Sequence, residues 1–156
     1  MALDATIDLI QTLIRTNISA ARKVPALSAY PLKADTADLP LILTVPSNAT
    51  WHTKGLEGAL RREDRTYRIV CFYEPLGQSE LPTRLLGAAQ LLQSVKDLIL
   101  STPALSDPVS YGDYQVTLEQ SEATPHEDDG ITPNQQIGGV NYHGWEIRVR
   151  VRELWR

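Results

Sequence analysis

Apolar side chains recur every three or four residues in two parts of the chain, which is the period of an amphipathic α-helix. The first part predicts a helix from Asp4 to about Ala20, and the second predicts a helix from Ser79 to about Leu100. The buried face of the first helix is Leu3, Ile7, Ile10, Ile14 and Ile18, widened by Leu13. The buried face of the second is Leu81, Leu85, Ala88, Leu92, Val95 and Ile99, widened by Leu86, Ala89 and Leu98.

Shorter apolar runs bounded by turn residues predict strands. They lie near Ala26–Tyr30, Leu41–Val45, Thr66–Glu74 and Tyr111–Leu118, and from about Val140 to the last residues. In the Thr66–Glu74 run both alternating sets are largely apolar at the centre, which indicates an interior strand. In the last run the inward set is Trp145, Ile147, Val149 and Val151, and the outward set is Glu146, Arg148, Arg150 and Arg152.

The order of these elements, α-β-β-β-α-β-β, predicts an α+β fold. We expect a mainly antiparallel sheet of four to five strands flanked by two helices. Residues 1–156 are expected to form a single domain, because 17.4 kDa is an ordinary size for one. Two polar stretches, at about 47–65 and 119–139, are predicted to be projecting loops, and the second is acidic.

Composition excludes several classes of protein. The hydrophobic fraction of 42% and charged fraction of 22% are those of a globular domain. The net charge of −4 argues against a free-standing nucleic-acid binder, and one Cys permits no internal disulfide. We find no signal peptide and no run long enough to span a membrane, so we expect synthesis in a cytoplasm.

No catalytic, cofactor-binding or metal-binding motif is found. Gly77-Gln78-Ser79-Glu80 begins like a nucleophile elbow, but Leu81 stands where the second glycine must be. Cys71 lies in the middle of a predicted strand and is interpreted as a buried small hydrophobe. The three histidines share no metal-ligand spacing; they are His52, His126 and His143.

A row of arginines on the last strand is the most informative charged feature. Arg148, Arg150 and Arg152 would stand on one face about 6.6 Å apart, at about 3.3 Å rise per residue. One interpretation is a solvated face with Glu146 and Glu153 nearby. Another is an interface in which the guanidinium groups meet carboxylates such as those of the acidic loop. Nucleic-acid contact is third, because no aromatic side chains interleave on that face.

The exposed loops supply the remaining interface candidates. Trp51 in a polar loop either packs back onto the sheet or anchors a partner, and the two readings are equally supported. The complete candidate set is Trp51, Lys54, Arg61, Arg62, Arg65, Glu127, Asp128, Asp129, Arg148, Arg150 and Arg152.

In its size, in the order of its elements and in its pattern of apolar and polar segments, the chain resembles the tail terminators of tailed bacteriophages. These are small proteins that close the head-proximal end of a tail tube. The resemblance covers most of the chain. It rests on the opening helix, on Leu39-Pro40-Leu41-Ile42-Leu43-Thr44-Val45-Pro46 and the polar loop after it, and on Tyr67-Arg68-Ile69-Val70-Cys71-Phe72-Tyr73-Glu74 leading into the second helix. The acidic segment before the last strand departs from the family pattern.

The resemblance implies a structural virion protein of the tail or neck, made in the host bacterial cytoplasm, with no enzymatic activity. It implies a ring, hexameric in the family, that ends tube polymerisation and offers a docking surface to the head. Its partners would be other copies of itself, the tail tube protein, a neck or head-completion protein and in contractile tails the sheath protein. DNA would only pass through the lumen, no membrane would be involved, and no cofactor is implied.

Two alternatives stay open at this point. One is another head–tail joining or neck protein of similar size. The other, from a different class, is a small-molecule-binding or enzymatic α+β domain that uses Tyr67, Tyr73 and Glu74 beside the second helix. That alternative predicts a deep pocket with converging polar groups, whereas a ring component predicts a shallow surface with exposed interface patches.

Overall fold

Two helices pack on one face of an antiparallel sheet in the computed structural model, which describes residues 3–32, 36–52, 61–75, 81–102, 113–122, 135–137 and 140–155. The helices are α1 (Leu3–Asn17) and α2 (Leu81–Ser101). The strands, in chain order, are β1 (Leu41–His52), β2 (Arg61–Pro75), β3 (Asp113–Glu122), β4 (Gln135–Ile137) and β5 (Val140–Trp155).

Three strands form the centre of the sheet. β2 lies between β1 and β5 and is antiparallel to both, and the backbones of β3 and β4 run antiparallel to β5. The fold is therefore α+β with an antiparallel sheet and two helices, as the element pattern predicts. Both helices contribute to a single core cluster with one sheet face, so they cover the same side of it.

The spacing of isoleucines in α1 explains its position. Ile7, Ile10 and Ile14 are at most 3% exposed, and Ile18, just past the helix end, is buried too. Positions three and four apart share one side of a helix, so these side chains form a continuous stripe toward the sheet. The predicted core face of α1 is confirmed for these four residues.

The buried stripe of α2 differs slightly from the predicted one. Ala88, Val95 and Ile99 are buried as expected, but the position between them is filled by Leu91, whereas Leu92 is only half-buried. Leu86 is 61% exposed, so its assignment to the core face is wrong. It precedes Ala88 by two residues, about 200° of helix rotation, which places it on the far side.

Alternation along β2 and β5 divides the sheet into two faces. The helix side of β5 is Trp145, Ile147, Val149 and Val151, each at most 2% exposed, which confirms the predicted inward set. On β2, Tyr67, Ile69 and Cys71 are completely buried in the same cluster. The opposite face holds a smaller apolar cluster; its members are Leu39, Leu41, Leu43, Val70, Phe72 and Tyr142. β1 is thus covered on both faces, as its apolar run predicts.

The predicted strand at Ala26–Tyr30 is wrong. Leu27–Ala29 is a short 3-10 helix, and a single bridge from Lys23 to Leu41 is the nearest approach to strand pairing there. The segment is fixed by side chains instead. The backbone N–H of Leu27 donates a hydrogen bond of 2.8 Å to Asp8 Oδ1, and the Tyr30 hydroxyl binds the backbone of β1.

The predicted loop at 47–65 is also largely strand. β1 continues to His52 and β2 begins at Arg61, and a β-bulge between Pro46 and Asn48 shifts their register. Only residues 53–60 of this stretch lie outside the described residues. In the predicted 119–139 loop, 119–122 and 135–137 have strand backbone, and the other residues lie outside the description.

Candidate protein interface

Six charged residues whose side chains the structure describes lie on the sheet face that is turned away from the helices. They alternate with the buried residues of β2 and β5, so the period of two that fills the core also places them on the other side. We call this surface the arginine face. Its members are Asp64, Arg68, Glu146, Arg148, Arg150 and Arg152.

Asp64 and Arg152 form a close ion pair on the arginine face. They are direct partners across β2 and β5, and Arg152 Nε donates to Asp64 Oδ1 at 3.0 Å. The carboxylate side chain is only 7% exposed, whereas the guanidinium side chain is 32% exposed. The Asp64 carboxylate is therefore buried beneath the Arg152 guanidinium, and it accepts a charge-assisted hydrogen bond from that group.

A second cluster joins two arginines through one carboxylate. Arg68 and Arg148 are also direct partners across β2 and β5. Like charges in such positions repel, and Glu146 lies between them at 3.6 Å from Arg68 Nη1 and 3.6 Å from Arg148 Nε. The side chain of Glu146 is 11% exposed, but the side chains of the two arginines are 42% and 45% exposed.

Among the side chains that the structure describes, the arginine face carries more positive than negative charge. These are four guanidinium groups and two carboxylates, and both carboxylates are buried. Of the described charged groups on this face, solvent or a partner protein therefore reaches mainly the guanidinium groups. A guanidinium presents planar donors that match a carboxylate or a phosphate, so the face fits an anionic partner.

An apolar area adjoins the arginine face on the same side of the sheet. Val70 is the direct partner of Glu146, and Phe72 packs edge-on against Tyr142 at 5.9 Å between ring centres. These three apolar residues are at most 7% exposed. The charged surface is therefore bounded by a covered apolar area rather than by an open cleft.

The structure brings only some of the predicted site residues together. Arg148, Arg150 and Arg152 share one face as predicted, and Arg150 is half-buried between the other two. Arg65 pairs with Val151 and so belongs to the opposite, helix-side face. Backbone register places Trp51 and Arg62 in the β1–β2 ladder and pairs Arg61 with Trp155 of β5. The other four lie outside the described residues: Lys54, Glu127, Asp128 and Asp129.

Sequence reasoning missed the carboxylates that organise the face. Asp64 falls in the stretch predicted to be a loop, so no cross-strand partner could be assigned to it. Alternation puts Arg68 on the same side of β2 as Val70 and Phe72, but its partner on β5 depends on the register, which periodicity does not give. Glu146 belongs to the outward set that the sequence predicts for the last strand, but its burial to 8% exposed is not predicted.

The residues on which the enzymatic alternative rests are largely packed. Tyr67 is completely buried, and the hydroxyl of Tyr73 packs against α2 at Gly87. Burial raises the pKa of the Cys71 thiol well above its ordinary value, which disfavours a nucleophilic thiolate. A shallow groove of about 400 Å³ lies along α1, lined by Ala5, Asp8, Leu9 and Thr12, and it includes none of these groups.

Neither a metal site nor a membrane-spanning helix is present among the described residues. They contain no group of three or more His, Cys, Asp or Glu side chains able to hold a metal ion. Within the same ranges, no helix is long and apolar enough to cross a membrane. In comparisons with known proteins, no family model and no curated protein matches the chain.

Proposed function

We propose that the protein is a structural component of a phage tail that forms a ring, hexameric in the family it resembles. In this proposal the ring caps the head-proximal end of the tail tube, ends its polymerisation and presents a docking surface to the head or neck. The domain has a sheet of four to five strands with its helices on one side. The chain itself catalyses no reaction and needs no cofactor.

The observation that carries the proposal is the arginine face. The guanidinium groups of Arg68, Arg148 and Arg152 form ion pairs with Asp64 or Glu146 and remain about one third to one half exposed. Ordering them in advance lowers the entropy lost when an anionic partner binds. Such a surface suits a protein contact better than a reaction, since it offers charge and shape but no enclosed site.

The acidic segment of a neighbouring copy is the proposed partner of this face. Glu127, Asp128 and Asp129 belong to a stretch without Lys or Arg, and Arg148, Arg150 and Arg152 supply the opposite charge. A contact between two different patches of the same protein is head-to-tail, and rotation about an axis closes it into a ring. Tube and neck proteins would then contact the two rims of the ring.

Passage of DNA through the ring is consistent with the charge of the chain. Each phosphate neutralised by a lysine or arginine adds affinity, so a lumen for moving DNA should not be strongly basic. The net charge of −4 satisfies that requirement. The arginine face would accordingly be used at a contact between subunits and not on the lumen wall.

Charge reversal tests the proposal. We expect Arg148→Glu combined with Arg150→Glu to weaken self-association by tenfold or more, measured by sedimentation velocity across a concentration series. Lys96→Glu is the matched control, because Lys96 is a half-exposed base on α2, on the other side of the sheet. Equal association of both variants and the wild type would contradict the role of the arginine face.

A rescue experiment adds specificity. Replacing Glu127, Asp128 and Asp129 by arginine in the charge-reversed chain should restore association, since the two patches would again be opposite in sign. Restored association would support pairing between the two patches. Failure of the rescue would assign the face to a different partner, such as the tube or neck protein.

A further inference from the structure

Arg68 and Arg148 share one buried carboxylate without being hydrogen-bonded to it. Each guanidinium contacts Glu146 at 3.6 Å, which is longer than the distance of about 2.7–3.2 Å in a hydrogen bond. Among the described groups, none makes a hydrogen bond to the buried Oε1 atom of Glu146. The carboxylate therefore balances part of the charge of the two arginines, but these contacts do not occupy their N–H donors.

The other two arginines of the arginine face are less accessible to a partner. Arg152 Nε already donates to Asp64 Oδ1 at 3.0 Å, and the Arg152 side chain is 32% exposed. Arg150 is half-buried. The side chains of Arg68 and Arg148 are 42% and 45% exposed. Exposure and bonding thus single out Arg68 and Arg148 as the pair that a partner can reach.

The strand register holds the two guanidinium groups side by side. Arg68 and Arg148 are direct partners across β2 and β5, and the Cα atoms of such partners lie about 4.5–5.5 Å apart. Two cations this close repel each other, and Glu146 offsets that repulsion from its place on the same face of β5. Two guanidinium groups and one carboxylate leave the group of three with an excess of positive charge.

Apolar side chains border this pair of arginines. Val70 on β2 is the direct partner of Glu146, and Val45 on β1 is the direct partner of Arg68. Val70 belongs to the buried cluster on this side of the sheet, and Val45 packs against that cluster. Apolar neighbours keep water away from a bound anion and so strengthen the hydrogen bonds that it accepts.

We propose that Arg68 and Arg148 together bind the adjacent carboxylates of an acidic protein segment. The proposal rests on the proposed function and deepens it, because in the ring this segment is Glu127-Asp128-Asp129 of a neighbouring copy. Each guanidinium can donate two parallel hydrogen bonds to one carboxylate, so two adjacent carboxylates would engage both arginines. Arg68 is then an interface residue that the sequence does not predict.

An acidic protein segment suits this pair better than nucleic acid does. Single strands bind by stacking their bases on exposed aromatic rings, but Phe72 and Tyr142, the described aromatic residues of the neighbouring apolar cluster, are at most 6% exposed. The net charge of −4 also disfavours a phosphate backbone. The stretch from Glu119 to Gly130 is acidic and contains no Lys or Arg, so its charge is complementary to that of the pair.

Binding of a synthetic peptide to the full-length protein tests the proposal. The peptide comprises residues 119–130 with a fluorescent label, and binding is followed by fluorescence anisotropy at low salt. We expect Arg68→Gln and Arg148→Gln each to weaken binding by about tenfold or more, since each removes a charged donor. Lys96→Gln, on α2, is the matched control and should bind the peptide as the wild type does. A wild type that does not bind the peptide, or Arg68→Gln binding as tightly as the wild type, would overturn the proposal.

Further variants define the chemistry of the site. If circular dichroism shows that Arg68→Gln does not fold, Arg68→Lys makes the same test, because lysine keeps the charge but lacks the planar donors; we expect binding to weaken by about threefold or more. A peptide carrying Glu127→Gln, Asp128→Asn and Asp129→Asn should not bind. A single-stranded oligonucleotide that binds more tightly than the acidic peptide, and loses affinity in Arg68→Gln, would assign the pair to phosphate and overturn the proposal.

Sedimentation velocity separates this proposal from the proposed function. If the wild type assembles and Arg68→Gln assembles equally well, the carboxylate site is overturned and the ring remains. If the peptide binds through Arg68 and Arg148 while the wild type stays monomeric at every concentration, the carboxylate site is supported and the ring is overturned.

Discussion

The hydroxyl of Tyr73 occupies the position where a side chain on Gly87 would begin. Tyr73 lies near the end of β2 and Gly87 lies in α2, and a Cβ atom on Gly87 would overlap the end of the tyrosine ring. This explains a glycine inside a helix, where it costs stability relative to alanine. The close approach brings the helix onto the sheet.

The effect of Gly87→Ala should change sign with the residue at position 73. In the wild type we expect a loss of about 1–3 kcal/mol in the free energy of unfolding, because the ring must shift. In a Tyr73→Ala background the clash is absent, and the helix preference of alanine should add up to about 1 kcal/mol. Urea unfolding of the wild type, the two single variants and the double variant measures these effects. If Gly87→Ala changed the free energy of unfolding equally in both backgrounds, the contact between Tyr73 and Gly87 would be contradicted.

Gln11 ties α1 to the segment that follows it and to β1 through three buried hydrogen bonds, two of which reach β1. Its side chain is completely buried; Nε2 donates to Pro25 O at 2.8 Å and to Ile42 O at 3.0 Å, and Oε1 accepts from Thr44 Oγ1 at 2.8 Å. Gln11→Leu would leave these partners buried, and each costs about 1–3 kcal/mol when unsatisfied. We expect a total loss of about 2–5 kcal/mol in the free energy of unfolding.

The matched control for this prediction is Gln93→Leu. Gln93 is exposed on α2 and donates to Asp97 Oδ1 at 2.8 Å, so water can replace that bond. We expect a change within about 0.5 kcal/mol. If Gln11→Leu proved as mild as Gln93→Leu in thermal or urea unfolding, the buried network would have no net role in stability.

Tyr30 should make the fold sensitive to alkali. Burial, with a smaller contribution from Asp8, raises the pKa of its hydroxyl from 10.0 to about 12. Because the folded-state pKa lies above the unfolded value, this stabilisation is fully present below pH 10 and is lost as the pH rises to about 12. The hydroxyl must also keep its proton to donate to Thr44 O.

Tyr30→Phe should therefore flatten the decline in the free energy of unfolding between pH 9 and 12. The measurement is urea unfolding at several pH values for both proteins. Some decline should persist, because burial also raises the pKa of Tyr73 and of Cys71. Parallel curves for the two proteins would show that the Tyr30 hydroxyl is not the responsible group.

The Asp64–Arg152 ion pair should respond unequally to the loss of its two members. Arg152→Ala leaves a carboxylate that is 7% exposed, whereas Asp64→Ala leaves a guanidinium that is 32% exposed and can be hydrated. Removing one partner of a buried pair costs about 3–5 kcal/mol, and a hydrated remnant costs less. We expect Arg152→Ala to be the more destabilising variant in chemical unfolding; the reverse order would contradict the assigned burial.

Apolar periodicity was sufficient for the parts of the fold that build the core. The isoleucine stripe predicts α1, and the alternation of Trp145, Ile147, Val149 and Val151 predicts both the course of β5 and its buried side. It fails at Ala26–Tyr30, where Leu27 and Tyr30 pack against the core from a 3-10 turn. An apolar residue in contact with the core need not lie in a strand.

The candidate site was less predictable for a different physical reason. Beyond the core the strands continue as Asn48–His52 and Arg61–Thr66, where polar and charged residues replace the alternating apolar ones. Their pairing depends on backbone hydrogen bonds and on cross-strand charges, and the pairing of Asp64 with Arg152 depends on register. A pattern of apolar residues carries no information about cross-strand charges or about the register of the strands.

Native mass spectrometry across a concentration series at low salt tests the central claim, assembly into a ring, most directly. Low salt is chosen because charge contacts on the arginine face are screened over about 10 Å at 0.1 M salt. The proposal predicts a hexamer that grows at the expense of the monomer as concentration rises, and that dissociates when salt is added. A chain that remains monomeric over the whole series would contradict it.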